Sequence, residues 1–186
     1  DYTIGFDTAM NTAMELVDKL RDTSQSHDRI SVVEVMGRGA GHIAVNTGVA
    51  CGATDIIVQE VPYDLNSIAK TMLEKHAKGK NNFVVIVSEG VGHSQEIATI
   101  LQEKTGIEAR ATILGHVQRG GNPTLRDRVE ATRLGCYAVD LLEQGIGNRV
   151  VALKDNAIVD YDIQEALSMK KSYDEKLHRM AETIAF

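Results

Sequence analysis

The sequence predicts an α/β fold, a three-layer sandwich with a mostly parallel sheet. Two observations carry that expectation. Short β-branched apolar runs alternate with amphipathic helical stretches over the first two thirds of the chain, the pattern of strand–helix units on a parallel sheet. A glycine-rich turn also follows three of the four strand candidates, as it does where strand ends face a ligand.

The elements follow in order. Phe6, Ala9, Met10, Ala13, Met14, Val17 and Leu20 recur at three- and four-residue spacing and share one helix face. Ile30-Ser-Val-Val-Glu-Val-Met36 is apolar and β-branched, a buried strand. A small-residue helix is expected over 40–50, and Ile56-Ile57-Val58 as a short second strand. Leu65 to His76 has helical spacing and ends near Gly79. Asn82 to Ser88 is a third strand, Gln95 to Lys104 a helix closed by Gly106, and Ala109 to Leu114 a fourth strand. Beyond Gly121 the pattern changes to a long helix from Leu125 to Leu142, one β-like stretch from Val150 to Val159, and helices at Ile163–Ser168 and Tyr173–Ile184.

Composition excludes several classes of function. With 43% hydrophobic and 25% charged residues, the 186-residue chain suits one globular domain, or one domain plus extra segments. A net charge of −6 and the absence of Trp argue against nucleic acid as a partner. No apolar stretch reaches the length of a membrane span, so no membrane association is expected. Cys51 and Cys136 belong to no metal or redox spacing and are expected as free thiols in a reducing cytoplasm. Because the first residue is Asp1, the chain is expected to be part of a longer one.

Chemistry concentrates beyond the strands. Met36-Gly-Arg-Gly-Ala-Gly-His42, Ser88-Glu-Gly-Val-Gly-His93 and Gly115-His-Val-Gln-Arg-Gly-Gly121 each follow a strand candidate. Glycines there let backbone approach a ligand, and a following helix offers free N–H groups to an anion. Arg38, Arg110, His116 and Arg119 are expected to project into that crevice together with one carboxylate, Glu89. Guanidiniums and an imidazole suit a phosphate, and a lone carboxylate suits neutral hydroxyls, which points to a phosphorylated polyol or sugar. A strand, a glycine turn and a helix occur in many α/β proteins. The glycines at 37, 39 and 41 miss the G-x-G-x-x-G spacing of a dinucleotide site. Arginines taken singly are ordinary surface charges, and His42, His76 and His93 are read as surface or capping residues.

Six segments, in order along the chain, resemble the bacterial 6-phosphofructokinase family. They are Ile4-Gly-Phe-Asp-Thr-Ala9, Arg21-Asp-Thr23, Ser26-His-Asp-Arg29, Glu34-Val-Met-Gly-Arg-Gly-Ala-Gly41, Val87-Ser-Glu-Gly-Val-Gly92 and Leu114-Gly-His-Val-Gln-Arg-Gly-Gly-Asn-Pro-Thr124. The resemblance implies the C-terminal, fructose 6-phosphate-binding part of that fold. It assigns the sugar to Met36, Gly37, Arg38, Glu89 and Arg119, and the 6-phosphate to Arg110 and His116, with Arg29 supplied by a neighbouring subunit. Arg38 then also lies near the transferring phosphoryl group, where a positive charge stabilises the transition state.

By the same resemblance, residues 1–118 form the substrate domain, 119–168 pack with a nucleotide domain and 169–186 return to the substrate domain. The family's nucleotide loop, its magnesium carboxylate and its Thr-Ile-Asp-Asn-Asp segment with the catalytic base fall upstream of Asp1. The implied reaction is phosphoryl transfer from ATP, with Mg2+, to the 1-hydroxyl of fructose 6-phosphate, in an allosteric, homotetrameric, cytoplasmic glycolytic enzyme. The chain alone is then expected to be inactive. Arg21, Gly52, Lys78 and Lys80 match positions where the family binds a nucleotide or phosphoenolpyruvate effector, although they also suit a solvated basic helix end. Thr54 departs from the glutamate usual there, with Asp55 one place later, which argues against a metal nucleotide as effector. The alternatives are a pyrophosphate-dependent member of the family and a non-catalytic sugar-phosphate-binding or regulatory module.

Overall fold

A computed structural model describes residues 2–24, 27–170 and 172–184; Ser26 of the third matching segment and the chain ends at Asp1 and Phe186 lie outside these. The elements are α1 (Phe6–Ser24), β1 (Arg29–Val35), α2 (His42–Ala50), β2 (Asp55–Ile57), α3 (Leu65–His76), β3 (Asn82–Ser88), α4 (Ser94–Thr105) and β4 (Glu108–Ile113). A short 3-10 turn (Gly115–Arg119), α5 (Leu125–Glu143), β5 (Arg149–Lys154), β6 (Ala157–Asp162), α6 (Ile163–Ser168) and α7 (Glu175–Ile184) follow. The chain divides into two compact units, residues 9–120 with 173–186, and residues 1–8 with 121–172.

In the larger unit four parallel strands run in the order β2-β3-β1-β4. The α/β class with a parallel sheet is as the sequence predicts. Side chains alternate across the two central strands, because successive residues of a strand point to opposite faces. Val33 and Val35 of β1 and Val84 and Ile86 of β3 pack with Ala13 and Val17 of α1, Ala44 and Val45 of α2 and Ala181 of α7. Ile30, Val32, Phe83, Val85 and Val87 pack on the other face with Ile68 and Met72 of α3 and Ile97 and Leu101 of α4. Both central strands are thus buried on both sides, which is why they read as continuous apolar runs rather than as an alternation.

In the smaller unit the stretch expected as one β-like segment is a hairpin, β5 paired antiparallel with β6 from Arg149↔Asp162 to Lys154↔Ala157. The chain reverses at Asp155-Asn156, both at positive φ (49° and 63°), a two-residue turn whose twist matches the flanking strands. Asp and Asn tolerate that region better than other side chains, and this is the signal the apolar flanks hide. At the start of α5, Thr124 is extended and its Oγ1 accepts the Asp127 N–H at 3.3 Å. Thr124→Ala is expected to lower the thermal stability of this unit by about 1 kcal/mol, measured by calorimetric unfolding.

Candidate functional site

The location of the site follows from connectivity. Strands β1 and β3 are neighbours, yet α2 after β1 packs into one core and α4 after β3 into the other. The connections part at the carboxyl ends of these two strands, the place where an open α/β sheet leaves room for a ligand. The strand ends are held level, since the Glu89 N–H donates to the Val35 carbonyl at 2.9 Å and the Leu114 N–H to the Glu34 carbonyl at 3.0 Å.

Met36, Gly37 and Arg38 form the first wall. The Ala40 N–H donates to the Gly37 carbonyl at 3.0 Å, closing a tight turn. A Cβ on Gly37 would stand 2.4 Å from the Ala40 carbonyl oxygen, so only glycine fits. Arg38 adopts a left-handed backbone (φ 50°), uncommon for a side chain of this size, and its N–H donates to the Glu89 carboxylate from the second wall. Glu89 therefore ties the β3 loop to the β1 loop, while the Arg38 guanidinium is exposed. His116 and Arg119 are exposed on the 3-10 turn after β4, beside β1 in the sheet. One guanidinium, then an imidazole and a second guanidinium follow adjacent strands at one sheet edge. That arrangement has the chemistry to accept a phosphate, with Glu89 and exposed backbone suited to hydroxyls.

Sequence reasoning treated Gln118 only as part of its motif. It is fully buried; its Oε1 accepts the Met36 N–H at 2.8 Å and its Nε2 donates to the Ala9 carbonyl at 3.3 Å. A polar residue in mid-turn between two site residues was the available signal, but its burial against α1 is a long-range fact.

Arg110 is not in this crevice, and the expectation that it projects there with His116 is corrected. It is the third residue of β4, in register with Ser31, and its Nε binds Glu108 Oε1 at 2.7 Å. Each strand residue advances the chain by about 3.3 Å, so Arg110 sits roughly 10 Å short of the strand end. It joins Arg29 instead, whose Nη2 binds Glu108 Oε2 at 2.9 Å in the first pair of the β1–β4 register. These two guanidiniums share one carboxylate at the opposite end of the sheet, and the hydrogen bonds from Arg29 and then Arg110 hold the Glu108 carboxyl below its ordinary range. The Nε of Arg29 is buried with no hydrogen-bond partner.

Of the second predicted group, Arg21, Gly52 and Lys80 line one cavity of about 370 Å³ together with Cys51, Thr54, Asn81, Asn82 and Val84. Arg21 donates to the Cys51 carbonyl, and Asn82 Nδ2 to the Arg21 carbonyl at 3.3 Å. Burial, then Lys75 and Arg21, push the Lys80 ammonium below its ordinary value. The Asn82 Oδ1 is buried without a partner. Lys78 is exposed in the adjacent turn and does not line this cavity. Thr54 is buried, its Oγ1 accepting the Val84 N–H at 3.3 Å, and Asp55 lines a different groove, so no carboxylate takes the place of the glutamate. Among the described residues no group of three or more His, Cys, Asp or Glu side chains is placed to hold a metal ion. Cys51 is a buried free thiol and Cys136 an exposed one, and among the described residues no helix is long and apolar enough to cross a membrane.

Comparison with known proteins adds to this geometry. The family model for phosphofructokinase matches residues 1–142. The chain is 52% identical over 184 residues to ATP-dependent 6-phosphofructokinase 1 of Clostridium perfringens, a match covering 99% of this chain and 58% of that protein. Among solved structures, phosphofructokinase from Saccharomyces cerevisiae superposes with a TM-score of 0.84 at 29% identity, over 99% of this chain and 25% of that one. Pichia pastoris phosphofructokinase gives 0.83 at 33% identity, over 100% of this chain and 21% of that one.

Proposed function

Because the chain belongs to the phosphofructokinase family, we propose that it supplies the sugar-phosphate side of an enzyme transferring a phosphoryl group from ATP to the 1-hydroxyl of fructose 6-phosphate, giving fructose 1,6-bisphosphate. The observation that carries this reading is the junction of the loops that leave β1 and β3, where Glu89 grips the Arg38 backbone while the exposed Arg38, His116 and Arg119 stand at the same sheet edge. ATP is favoured over pyrophosphate as donor by the C. perfringens relative, which is named ATP-dependent.

In this reading Met36, Gly37, Arg38, Glu89 and Arg119 hold the sugar, and His116 contributes to the 6-phosphate. Arg38 places positive charge where the transferring group becomes most anionic. Arg29 and Arg110 travel as a pair with Glu108, so a ligand of one chain that uses them takes both from a second copy. The working enzyme is accordingly a homo-oligomer, a tetramer by the family pattern, and glycolytic and cytoplasmic. The chain spans 58% of the C. perfringens relative. In this reading a magnesium–nucleotide complex is held by other segments of the enzyme, and this chain alone is inactive. The cavity around Arg21 and Lys80 takes an anionic effector without metal.

Calorimetric titration of this chain with fructose 6-phosphate, with fructose as control, tests the assignment. Saturable binding that requires the phosphate is expected. Equal affinity for fructose would sink it. A non-catalytic module with the same site differs in one respect: the intact protein would bind the sugar phosphate and show no ATP turnover.

A further inference from the structure

We propose that Gln118 is a positioning residue for sugar-phosphate binding, the joint that sets the Met36–Arg38 turn relative to the turn carrying His116 and Arg119. The inference rests on the assignment of those residues to the sugar-phosphate site and deepens it. Gln118 lies between His116 and Arg119 on the same 3-10 turn, yet it points the other way, with no exposed surface. Both ends of its amide are used. The oxygen accepts the N–H of Met36, the first residue beyond β1, at 2.8 Å, and the nitrogen donates to the carbonyl of Ala9 in α1 at 3.3 Å.

Three separate pieces of chain therefore meet on one side chain. The Met36 N–H could have been satisfied within a turn or by water; a buried amide instead fixes its direction and with it the path into Gly37 and Arg38. The 3-10 turn is itself short, closed by the Gly120 N–H donating to the Val117 carbonyl at 3.0 Å, so little else in it constrains the pitch of His116 and Arg119. Glutamine is suited to this joint because it offers one acceptor and two donors on a neutral planar group. An apolar residue of similar size would keep the volume and strand two backbone groups. A carboxylate would accept from Met36 but repel the Ala9 carbonyl until protonated.

The test pairs Gln118→Leu with Gln118→Glu. In the intact enzyme, Gln118→Leu is expected to raise KM for fructose 6-phosphate about 10- to 100-fold and to leave KM for ATP within about twofold, because sub-ångström positioning of binding groups has effects of that size. In this chain, the Met36 amide is expected to exchange its proton faster in Gln118→Leu than in the wild type. Gln118→Glu is expected to recover toward wild-type KM as pH is lowered from 8 to 6. A buried carboxyl titrates above its ordinary range, and its protonated form reproduces the amide's donor and acceptor. A fructose 6-phosphate KM within twofold of wild type in Gln118→Leu would overturn the proposal, as would unchanged Met36 exchange. Absence of fructose 6-phosphate turnover in the wild type would instead sink the functional assignment, and the exchange measurement would still decide whether Gln118 holds the turn. Should Gln118→Leu fail to fold, the pH response of Gln118→Glu decides: a KM that does not improve on acidification counts against the joint.

Discussion

Asp127→Ala lowers the unfolding free energy by about 4 kcal/mol, the expected cost of removing a buried charged acceptor that several donors share. The Asp127 carboxylate is 1% exposed and accepts from the N–H groups of Gly5 and Thr8, each at 2.9 Å, and from the hydroxyls of Thr8 and Tyr2. The two backbone N–H groups are of the kind a helix N-terminus leaves without partners, here at the start of α1. The carboxylate also meets the positive end of that helix. Alanine leaves the donors where water reaches them poorly. Burial pushes the carboxyl upward, but the hydrogen bonds from Thr8, Tyr2 and the two backbone groups outweigh it and hold it at about 2 instead of 3.8. A depressed pKa gives stability that is complete above the unfolded value and is lost as pH falls through the folded one. The wild type should lose about 2.5 kcal/mol from this group between about pH 4 and pH 2, and Asp127→Ala should lack that share. Urea unfolding at pH 7 and across the acid range measures both. A loss below about 1 kcal/mol at pH 7 would show that the network is ornamental.

Gly37→Ala is expected to weaken fructose 6-phosphate binding about 100-fold while changing global stability far less. The added Cβ would meet the Ala40 carbonyl oxygen at 2.4 Å, and that oxygen belongs to backbone, which cannot swing aside as a side chain end can. The turn must open, breaking the 3.0 Å bond from Ala40 to Gly37 and moving the backbone that presents Arg38. Close approach, rather than access to left-handed conformations, is what calls for glycine at this position. Gly39→Ala serves as the control, since nothing stands within 4 Å of the Cβ it would gain. Calorimetric titration of both variants measures the effect, and wild-type affinity in Gly37→Ala would mean the turn does not present the ligand.

Local chemistry made much of the fold legible. Strand β3 and helix α3 are found at their expected bounds, because Phe83 to Val87 is an unbroken apolar run and Gly79 closes the helical spacing before it. The residues that leave β1 and β3 are also where the glycine turns place them. What escaped is what depends on distance along the chain. Gln118 is buried by contact with Ala9, 109 residues away, and Asp127 closes a helix start 119 residues away. Arg110 was misplaced for a geometric reason. The strand was recognised, but position along it decides which end of the sheet a side chain serves, and Glu108 draws Arg110 to the end where Arg29 begins. The hairpin at β5 and β6 was missed because its turn, Asp155-Asn156, is too brief to interrupt the apolar pattern.

The divergence of α2 and α4 from neighbouring strands separates two properties of the site. Where a ligand goes is written in the route of the chain, and no side chain of the crevice takes part in that choice. What is accepted there is, in the proposed reading, decided by Arg38, Glu89, His116 and Arg119, none of which the two cores recruit. Address and lock are thus separable, and they meet at Glu89. Replacing Arg38, His116 and Arg119 while keeping Glu89, which ties the two loops, would change the charge offered at this sheet edge and leave the berth in place.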